Sequence, residues 1–305
     1  MISLPRMTFV EPKLERAVRR AINLPDREPL TREVFDRVTS LSLPLTGISQ
    51  LDGIEHLSNL TELHLGYNQI SDLRPLARLS NLNSLNLFGN QISDLTPIRE
   101  LTNLKRLYLF GNQISDLYPL TQLVNLNYLN LGVNQVSDLY PLTQLVNLNY
   151  LNLGVNQVSD LRPLAELTDL RTLRLYGNHI IDITPLKGLT NLTELNLGHN
   201  PIQGKISPLA KLTNLSKLIL RENQISDLSP LTELTNLTKL DLRENQISDL
   251  SPLTELTNLS KLILRENQIS DTNILEVSRK AESRSLSIIQ THFSNQQLNL
   301  FVKER

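Results

Sequence analysis

The sequence has no cysteine and no tryptophan, and aromatic residues make up only 4% of its 305 residues. Without thiols the chain forms no disulfide, offers no thiolate to a metal ion and has no cysteine nucleophile. The scarcity of large rings indicates a core built from layers of aliphatic side chains.

Neither sign of charge dominates, because 30 lysine and arginine residues face 31 aspartate and glutamate residues and the formal net charge is -1. No overall field attracts nucleic acid or an anionic membrane, and we predict that the chain binds neither. No apolar run approaches the roughly 20 residues of a membrane span, and the first residues lack a signal-peptide stretch. The chain as written is therefore expected to be cytoplasmic, with secretion of a processed precursor as the alternative.

A unit with the pattern LxxLxLxxNxIxDLxPLxxLxN recurs along most of the chain. The successive units begin at Leu60, Leu82, Leu104, Leu126, Leu148, Leu170, Leu192, Leu215, Leu237 and Leu259. A degenerate unit precedes them at Leu41, and only the seventh is one residue longer than the others, with the extra residue in the segment 203–205. Residues 116–137 recur unchanged at 138–159, so the array grew by duplication.

Each unit predicts one coil of a solenoid. The LxL alternation has the period of a short strand, and strands of successive coils would pair in parallel at about 4.8 Å. The recurrent asparagine would satisfy backbone groups of neighbouring coils, and the recurrent proline suits the start of a short 3₁₀ turn. The recurrent aspartate, one in each coil, would cap that turn. The sequence thus predicts an α/β solenoid with a parallel β-sheet on its concave face and 3₁₀ turns on its convex face.

The ends of a solenoid expose apolar edges and need caps. We predict three parts: a helical N-terminal cap at residues 8–40, the repeat array at 41–272 and a C-terminal cap at 273–305. Leu14, Val18 and Ile22 have helical spacing, and a second short helix is expected around Thr31 to Val38. Residues 273–282 suit an amphipathic helix.

The run LTNLxxLxLxxNQISDLxPL resembles the leucine-rich repeats of bacterial internalins, a repeat class shared with a regulatory subunit of a eukaryotic protein phosphatase. The preceding FVEPKLERAVRRAINLP is similar to the helical cap of internalin-type proteins and favours a bacterial origin. The resemblance implies a horseshoe-shaped, non-enzymatic scaffold that binds another protein on its concave face. The alternatives are a regulatory subunit of an enzyme such as a phosphatase, or a secreted internalin-like adhesion or effector protein.

Two groups of side chains outside the leucine framework are the candidate binding sites, and both are placed on the concave face. The first group supplies aromatic and arginine anchors and comprises Phe88, Tyr108, Phe110, Tyr128, Tyr150, Tyr176 and Arg174. The second patch would hold an acidic partner surface and comprises Lys217, Arg221, Lys239, Asp241, Arg243, Lys261 and Arg265. The alternative interpretations are that stacked rings merely stabilise adjacent strands, and that arginines and glutamates neutralise each other in solvent.

No constellation of residues predicts catalysis. His64 with Glu62, and His199 near Glu194, lack a nucleophile and a third orienting group. The histidines lack zinc-ligand spacing, and the aspartates recur once in each coil without clustering. We therefore predict no enzyme activity, no cofactor and no metal site. We expect a monomer whose partner is another protein.

Overall fold

The computed structural model describes residues 8–204, 206–270 and 273, together with the backbone of residues 287–289. The chain divides into two compact units, residues 1–170 and 171–305. In each unit, three-residue strands alternate with short 3₁₀ helices. Within a unit, each strand pairs in parallel with the next strand along the chain, so the strand order follows the sequence. The predicted leucine-rich-repeat solenoid is confirmed.

The first unit begins with two helices and continues with six strands. The helices are α1 (Pro12–Ala21) and α2 (Arg32–Phe35). The strands are β1 (Ser40–Ser42), β2 (Glu62–His64), β3 (Ser84–Asn86), β4 (Arg106–Tyr108), β5 (Tyr128–Asn130) and β6 (Tyr150–Asn152). The 3₁₀ helices are Ile54–His56, Arg74–Leu76, Thr96–Ile98, Tyr118–Leu120, Tyr140–Leu142 and Arg162–Leu164. Leu129 pairs with Leu107 on one side and with Leu151 on the other, which is the register that the repeat predicts.

The second unit continues the same alternation. Its strands are β7 (Thr172–Arg174), β8 (Glu194–Asn196), β9 (Lys217–Ile219), β10 (Lys239–Asp241), β11 (Lys261–Ile263) and β12 (Ser287–Ile289). Its described 3₁₀ helices are Thr184–Gly188, Ser207–Lys211, Ser229–Leu231 and Ser251–Glu255. Leu195 pairs with Leu218, so the extra residue of the long repeat leaves the strand register intact. Gly204, in the segment predicted to absorb that residue, has a φ of 58°, which glycine adopts without a steric penalty.

Each strand from β1 to β11 turns its middle leucine into the core and its two flanking residues to the opposite side. In β5, for example, Leu129 is fully buried whereas Tyr128 and Asn130 are half-buried. Residues two apart on a strand share a face, so the side chains that flank the leucines line one surface within each unit. We call this surface the open face, and the side that carries the 3₁₀ helices the turn side.

The recurrent asparagine closes each coil from within. The Asn112 Nδ2 donates to the carbonyl oxygens of Leu87 and Leu109, each at 3.0 Å. Its Oδ1 accepts from the backbone N–H of Ile92 at 3.0 Å. Because each of these backbone groups would cost about 1–3 kcal/mol if buried without a partner, the asparagine stabilises the stacking of coils. The role that the sequence predicts for it is confirmed.

The recurrent aspartate caps the 3₁₀ helix on the turn side. The Asp116 Oδ1 accepts from the backbone N–H of Tyr118 at 2.8 Å, and the following proline lies at the second position of the helix. In one coil the Arg74 guanidinium lowers the pKa of Asp72, and in another Arg162 lowers the pKa of Asp160. The capping role predicted for the aspartates is confirmed.

The two N-terminal helices lie near their predicted positions, and the second is shorter than expected. The Glu11 carboxylate, just before α1, accepts from the backbone N–H groups of Ser49 and Gln50 at 2.8 and 2.7 Å. The ring of Phe35 in α2 contacts that of Phe9, with centroids 5.7 Å apart. The assignment of residues 8–40 as a cap stays a prediction.

Most of the predicted C-terminal cap lies outside the described residues. Of the helix expected at 273–282, only Asn273 is described, and it is helical. The sequence analysis did not predict the strand β12, which pairs with β11. The boundaries of the array at 41–272 and of the cap at 273–305 stay predictions. None of the described helices combines the length and the apolar character needed to cross a membrane.

Candidate functional site

Three tyrosines form a continuous stack on the open face of the first unit. The ring centroids of Tyr128 and Tyr150 lie 4.1 Å apart and the rings are nearly parallel, at 6°. Tyr108 lies 4.6 Å from Tyr128 with a tilt of 37°. The register explains the stack, because Tyr128 pairs directly with Tyr150 across β5 and β6. All three side chains are half-buried, so each ring keeps part of its surface in contact with solvent.

A second stack lies where β2, β3 and β4 end. Phe88 and Phe110 stack at 4.8 Å with their rings 5° from parallel, and Tyr67 meets Phe88 edge-on at 4.7 Å. Phe110 also extends over Gly132 in the next coil, where an added Cβ would lie only 2.8 Å from the phenylalanine ring. Glycine is therefore required at that position if the ring is to keep its place.

The aromatic residues predicted as one zone thus form two stacks, and Tyr176 belongs to the second unit. The rings pack against one another between adjacent strands, as expected if they stabilise the sheet, and each such contact contributes about 0.2–1 kcal/mol. Their half-exposed surface also leaves them available to a partner. A stabilising role and a binding role are therefore compatible in the same rings.

Three tyrosines were missed by the sequence analysis. Tyr67 lies three residues past the end of β2, whereas Phe88 lies two residues past the end of β3. Tyr67 therefore falls outside the columns that were considered, although its ring extends the second stack. Tyr118 and Tyr140 lie on the turn side, and each is 72% exposed. Both occupy the residue before the recurrent proline, where other repeats have arginine, threonine or serine. Reading that column would have revealed them.

The open face of the second unit holds a small cavity of about 220 Å³ beside β7, β8 and β9. The Glu194 carboxylate lies between two cations there, 3.8 Å from Arg174 and 3.5 Å from Lys217. Tyr176 and Ile219 complete its walls. The predicted residues Arg174 and Tyr176 are thus brought together with Lys217, a member of the second predicted patch.

Three lysines form a column on the same face. Lys239 lies in register with Lys217 on one side and with Lys261 on the other. A parallel column, four residues further along each coil, consists of Arg221, Arg243 and Arg265. The two columns bring together all the basic residues predicted for the second patch.

Asp241, the acidic member of that patch, is buried, with only 3% of its surface exposed. Its carboxylate accepts from the Arg243 guanidinium at 2.9 Å (Nε to Oδ1) and 2.7 Å (to Oδ2), and this hydrogen bonding raises the pKa of Arg243. Asp241 thus orients an arginine and offers little of its own surface to a partner. In the next coil Ile263 takes the place of Asp241, and the buried Nε of Arg265 has no hydrogen-bond partner among the described residues.

The histidines pair differently from the sequence analysis. The His199 Nδ1 lies 2.5 Å from the Glu222 carboxylate, so the expected pairing with Glu194 is wrong. After β8 the backbone turns, with His199 at a positive φ, and this turn places His199 beside the following coil. The His64 Nδ1 lies 3.3 Å from the Ser42 hydroxyl. Within the described ranges, no group of three or more histidine, aspartate or glutamate residues could hold a metal ion.

The family model for leucine-rich repeats (2 copies) matches five consecutive segments: residues 58–100, 102–144, 146–188, 190–233 and 235–277. Among curated protein sequences, none matches the chain.

Solved structures are similar over most of the chain. An internalin (InlF) from Listeria monocytogenes has 32% identity and a TM-score of 0.83, over 97% of this chain and 100% of its own. Internalin C2 from the same species has 40% identity and a TM-score of 0.68, over 72% of this chain and 98% of its own. A plant peptide hormone receptor, RGFR1 in complex with RGF2, has 26% identity and a TM-score of 0.68, over 86% of this chain and 45% of its own.

Proposed function

Since the chain belongs to the leucine-rich-repeat family and is similar to bacterial internalins, we propose that it is a non-catalytic scaffold that binds a partner protein on its open face. The fold is typical of protein–protein interaction scaffolds. The observation that carries the proposal is the half-exposed tyrosine stack of Tyr108, Tyr128 and Tyr150. We expect it to contain the residues that contribute most to binding.

The stack has the physical properties of an interface anchor. Tyrosine combines a large apolar ring with a hydroxyl group that can bond to a partner, and it has few rotatable bonds. Each ring in the stack is already held by its neighbour, so little side-chain entropy remains to be lost when a partner arrives. Buried apolar area at these rings would therefore contribute to affinity with a small ordering cost.

The structural relatives support a protein or peptide as the partner. The plant receptor with the same fold was solved in complex with RGF2. Neither described histidine contact on this side of the strands, His64 with Ser42 or His199 with Glu222, joins a nucleophile, a base and an orienting acid. We therefore extend the non-catalytic character that is general in this fold to the present protein.

The test is affinity capture from the source organism with three forms of the chain: the intact protein, a Tyr128→Ala/Tyr150→Ala variant and a Tyr118→Ala/Tyr140→Ala variant. The last is a matched control, because it removes the same residue type from the same two duplicated repeats on the turn side. Bound proteins are identified by mass spectrometry, and circular dichroism verifies that each variant is folded.

We expect a protein that the intact chain and the turn-side variant retain and that the open-face variant loses by at least tenfold, which corresponds to about 1.4 kcal/mol. The variant loses two ring contacts, Tyr108 with Tyr128 and Tyr128 with Tyr150. At about 0.2–1 kcal/mol per pair this loss is too small to unfold a repeat array of this size. Loss of the partner from the turn-side variant alone would contradict the assignment of the open face. Equal retention by all three forms would exclude the tyrosine stack as an anchor.

A further inference from the structure

We propose that the Lys217, Lys239 and Lys261 column, with the arginine column beside it, is a docking surface for an extended acidic segment of a partner protein. We call this surface the basic track. It lies on β9, β10 and β11 of the second unit. The inference rests on the proposed function for the presence of a partner, and it adds the chemistry that the partner must bring to this part of the open face.

The lysine column is unfavourable for the isolated chain. Lys239 lies directly opposite Lys217 and Lys261 in the parallel register, and neighbouring strands are about 4.8 Å apart. Like charges at directly opposite positions destabilise a sheet. The same column holds neutral residues in much of the first unit, including Ser84, Tyr128 and Tyr150. Because the fold does not need lysines there, the repetition points to an external anion.

Glu194 shows what kind of group the column accepts. It occupies the same register position as the lysines, one strand earlier, since it pairs with Lys217 across β8 and β9. Its carboxylate lies 3.5 Å from the Lys217 ammonium group. Lys239 and Lys261 have no carboxylate within 4.0 Å among the residues that the structure describes. A partner carboxylate at these two lysines would repeat the contact that Glu194 makes within the chain.

The arginine column is compensated in only one coil by an acidic residue of its own strand. Asp241 holds Arg243 at 2.7 Å, whereas the corresponding positions beside Arg221 and Arg265 are Ile219 and Ile263. Arg265 is half-exposed and its buried Nε has no acceptor in the described part of the chain, so the exposed part of its guanidinium could bind a partner carboxylate. The two ends of the arginine column are thus suited to further acidic groups.

The dimensions favour an extended peptide. Three lysines at strand spacing span about 10 Å, which corresponds to about three or four residues of extended chain. Lysine side chains are long and flexible, so adjacent carboxylates of such a segment could each reach an ammonium group. The formal net charge of -1 gives the whole chain no general attraction for polyanions, so the recognition is local.

The experiment measures binding of a fluorescein-labelled peptide of about eight glutamates, enough to cover the basic track in extended form. A peptide of glutamines with the same length is the neutral comparison. Fluorescence anisotropy is recorded at low and at physiological salt with the intact chain, a Lys239→Gln/Lys261→Gln variant and a Lys187→Gln/Lys211→Gln variant. The last variant loses the same charge from exposed lysines of 3₁₀ helices in the same unit.

We expect the glutamate peptide to bind and the glutamine peptide not to bind, with an affinity that falls as salt rises. The Lys239→Gln/Lys261→Gln variant should bind the peptide roughly tenfold more weakly, since it loses two exposed ion pairs. The Lys187→Gln/Lys211→Gln control should change the affinity by less than about twofold. Absence of glutamate-peptide binding, or equal weakening by both variants, would overturn the proposal.

Two further measurements test whether nucleic acid or a second copy of the chain occupies the basic track instead. If the chain binds a single-stranded DNA oligonucleotide more tightly than the glutamate peptide, and the Lys239→Gln/Lys261→Gln variant loses that binding, the surface is assigned to nucleic acid and the proposal is overturned. If the chain self-associates in sedimentation and the same variant does not, the surface is assigned to a second copy of the chain and the proposal is likewise overturned. The Tyr128→Ala/Tyr150→Ala variant should bind the peptide like the intact chain, so a failed peptide test leaves the capture experiment unaffected.

Discussion

The open faces of the two units have the same backbone and different chemistry. In the first unit, β4, β5 and β6 carry the stacked rings of Tyr108, Tyr128 and Tyr150. In the second, β9, β10 and β11 carry the basic track. Rings gain from contact with their neighbours in the register, whereas ammonium groups repel theirs. A column of like side chains is therefore self-stabilising in the first unit and self-repelling in the second.

The comparison shows how the fold separates stability from recognition. The middle leucines of the strands, such as Leu129 and Leu240, are fully buried in both units. Asn112 and Asn245 bond to backbone groups in the same way on either side of the division. The core thus constrains one side of each strand only. The flanking positions can change from aromatic to basic without a change in the framework.

The largest losses of stability should come from replacing the recurrent asparagine that bonds to the backbone in both units. Asn245 Nδ2 donates to the carbonyl oxygens of Leu220 and Leu242, and its Oδ1 accepts from the N–H of Ile225. Asn112→Ala and Asn245→Ala each leave three such backbone groups without their partner. Asn245→Ala also removes a bond to the carbonyl oxygen of Arg243, which still accepts from the N–H of Glu222. We expect each variant to lose about 3 kcal/mol of unfolding free energy, measured by urea denaturation.

Exposed asparagines provide the controls for this pair. Asn125 and Asn236 each donate one hydrogen bond to a carbonyl oxygen of the preceding coil at 2.9 Å, at solvent-exposed positions. Asn125→Ala and Asn236→Ala should each cost less than about 1 kcal/mol. A much smaller loss at Asn245 than at Asn112 would show that the two units do not share one framework.

An intermediate effect is expected where the two open faces differ in charge at one column. In the first unit, Asn152 accepts from the backbone N–H of Gly154 at 2.9 Å; in the second, Asp241 occupies the corresponding position and holds Arg243. Asp241→Asn keeps the shape of the side chain and removes the partner charge of a partly buried arginine. We expect a loss of about 1–2 kcal/mol, below the cost of breaking a fully buried pair, because Arg243 remains partly solvated.

A double-mutant cycle with Arg243→Gln isolates this contact. Chemical denaturation of the two single variants and the double variant gives the coupling energy between the side chains. If the Asp241→Asn substitution costs as much in the Arg243→Gln background as in the intact chain, the ion pair does not contribute to the stability of the second unit.

The periodic part of the structure could be predicted from the sequence. Strand positions follow from the LxL alternation, and the roles of the recurrent asparagine, aspartate and proline follow from backbone requirements that repeat in every coil. Register is fixed by repeat length, so Tyr128 could be placed beside Tyr150. The fold class and the internalin-like character are therefore predictable. The binding roles of the two candidate patches stay predictions.

The aperiodic contacts could not be predicted. The pairing of His199 with Glu222 depends on a turn in which both residues have positive φ, which the repeat pattern does not specify. Asp241 is buried and accepts two hydrogen bonds from the Arg243 guanidinium. The second aromatic stack includes Tyr67, which lies one residue beyond the columns that were considered. These features arise from side-chain packing between coils. The repeat consensus describes only what all coils share, so it does not specify contacts that differ from one coil to the next.

The smallest effect concerns the turn side, where the two units cap the 3₁₀ helix with the same backbone donor and different side-chain donors. The backbone N–H of Arg162 donates to Asp160 at 2.9 Å, and that of Ser251 donates to Asp249 at 2.8 Å. The second donor is the Arg162 guanidinium in the first unit and the Ser251 hydroxyl in the second, at 2.7 and 2.8 Å. Both contacts lower the pKa of the aspartate from 3.8. The folded chain therefore takes up these protons less readily than the unfolded chain, so the stabilisation is complete above pH 3.8 and is lost as the pH falls through the lowered pKa. Asp249→Ala should cost about 0.5 kcal/mol near neutral pH and progressively less in acid, measured by urea denaturation at a series of pH values. A cost that is independent of pH would show that the hydrogen bonds of Asp249 do not require its charge.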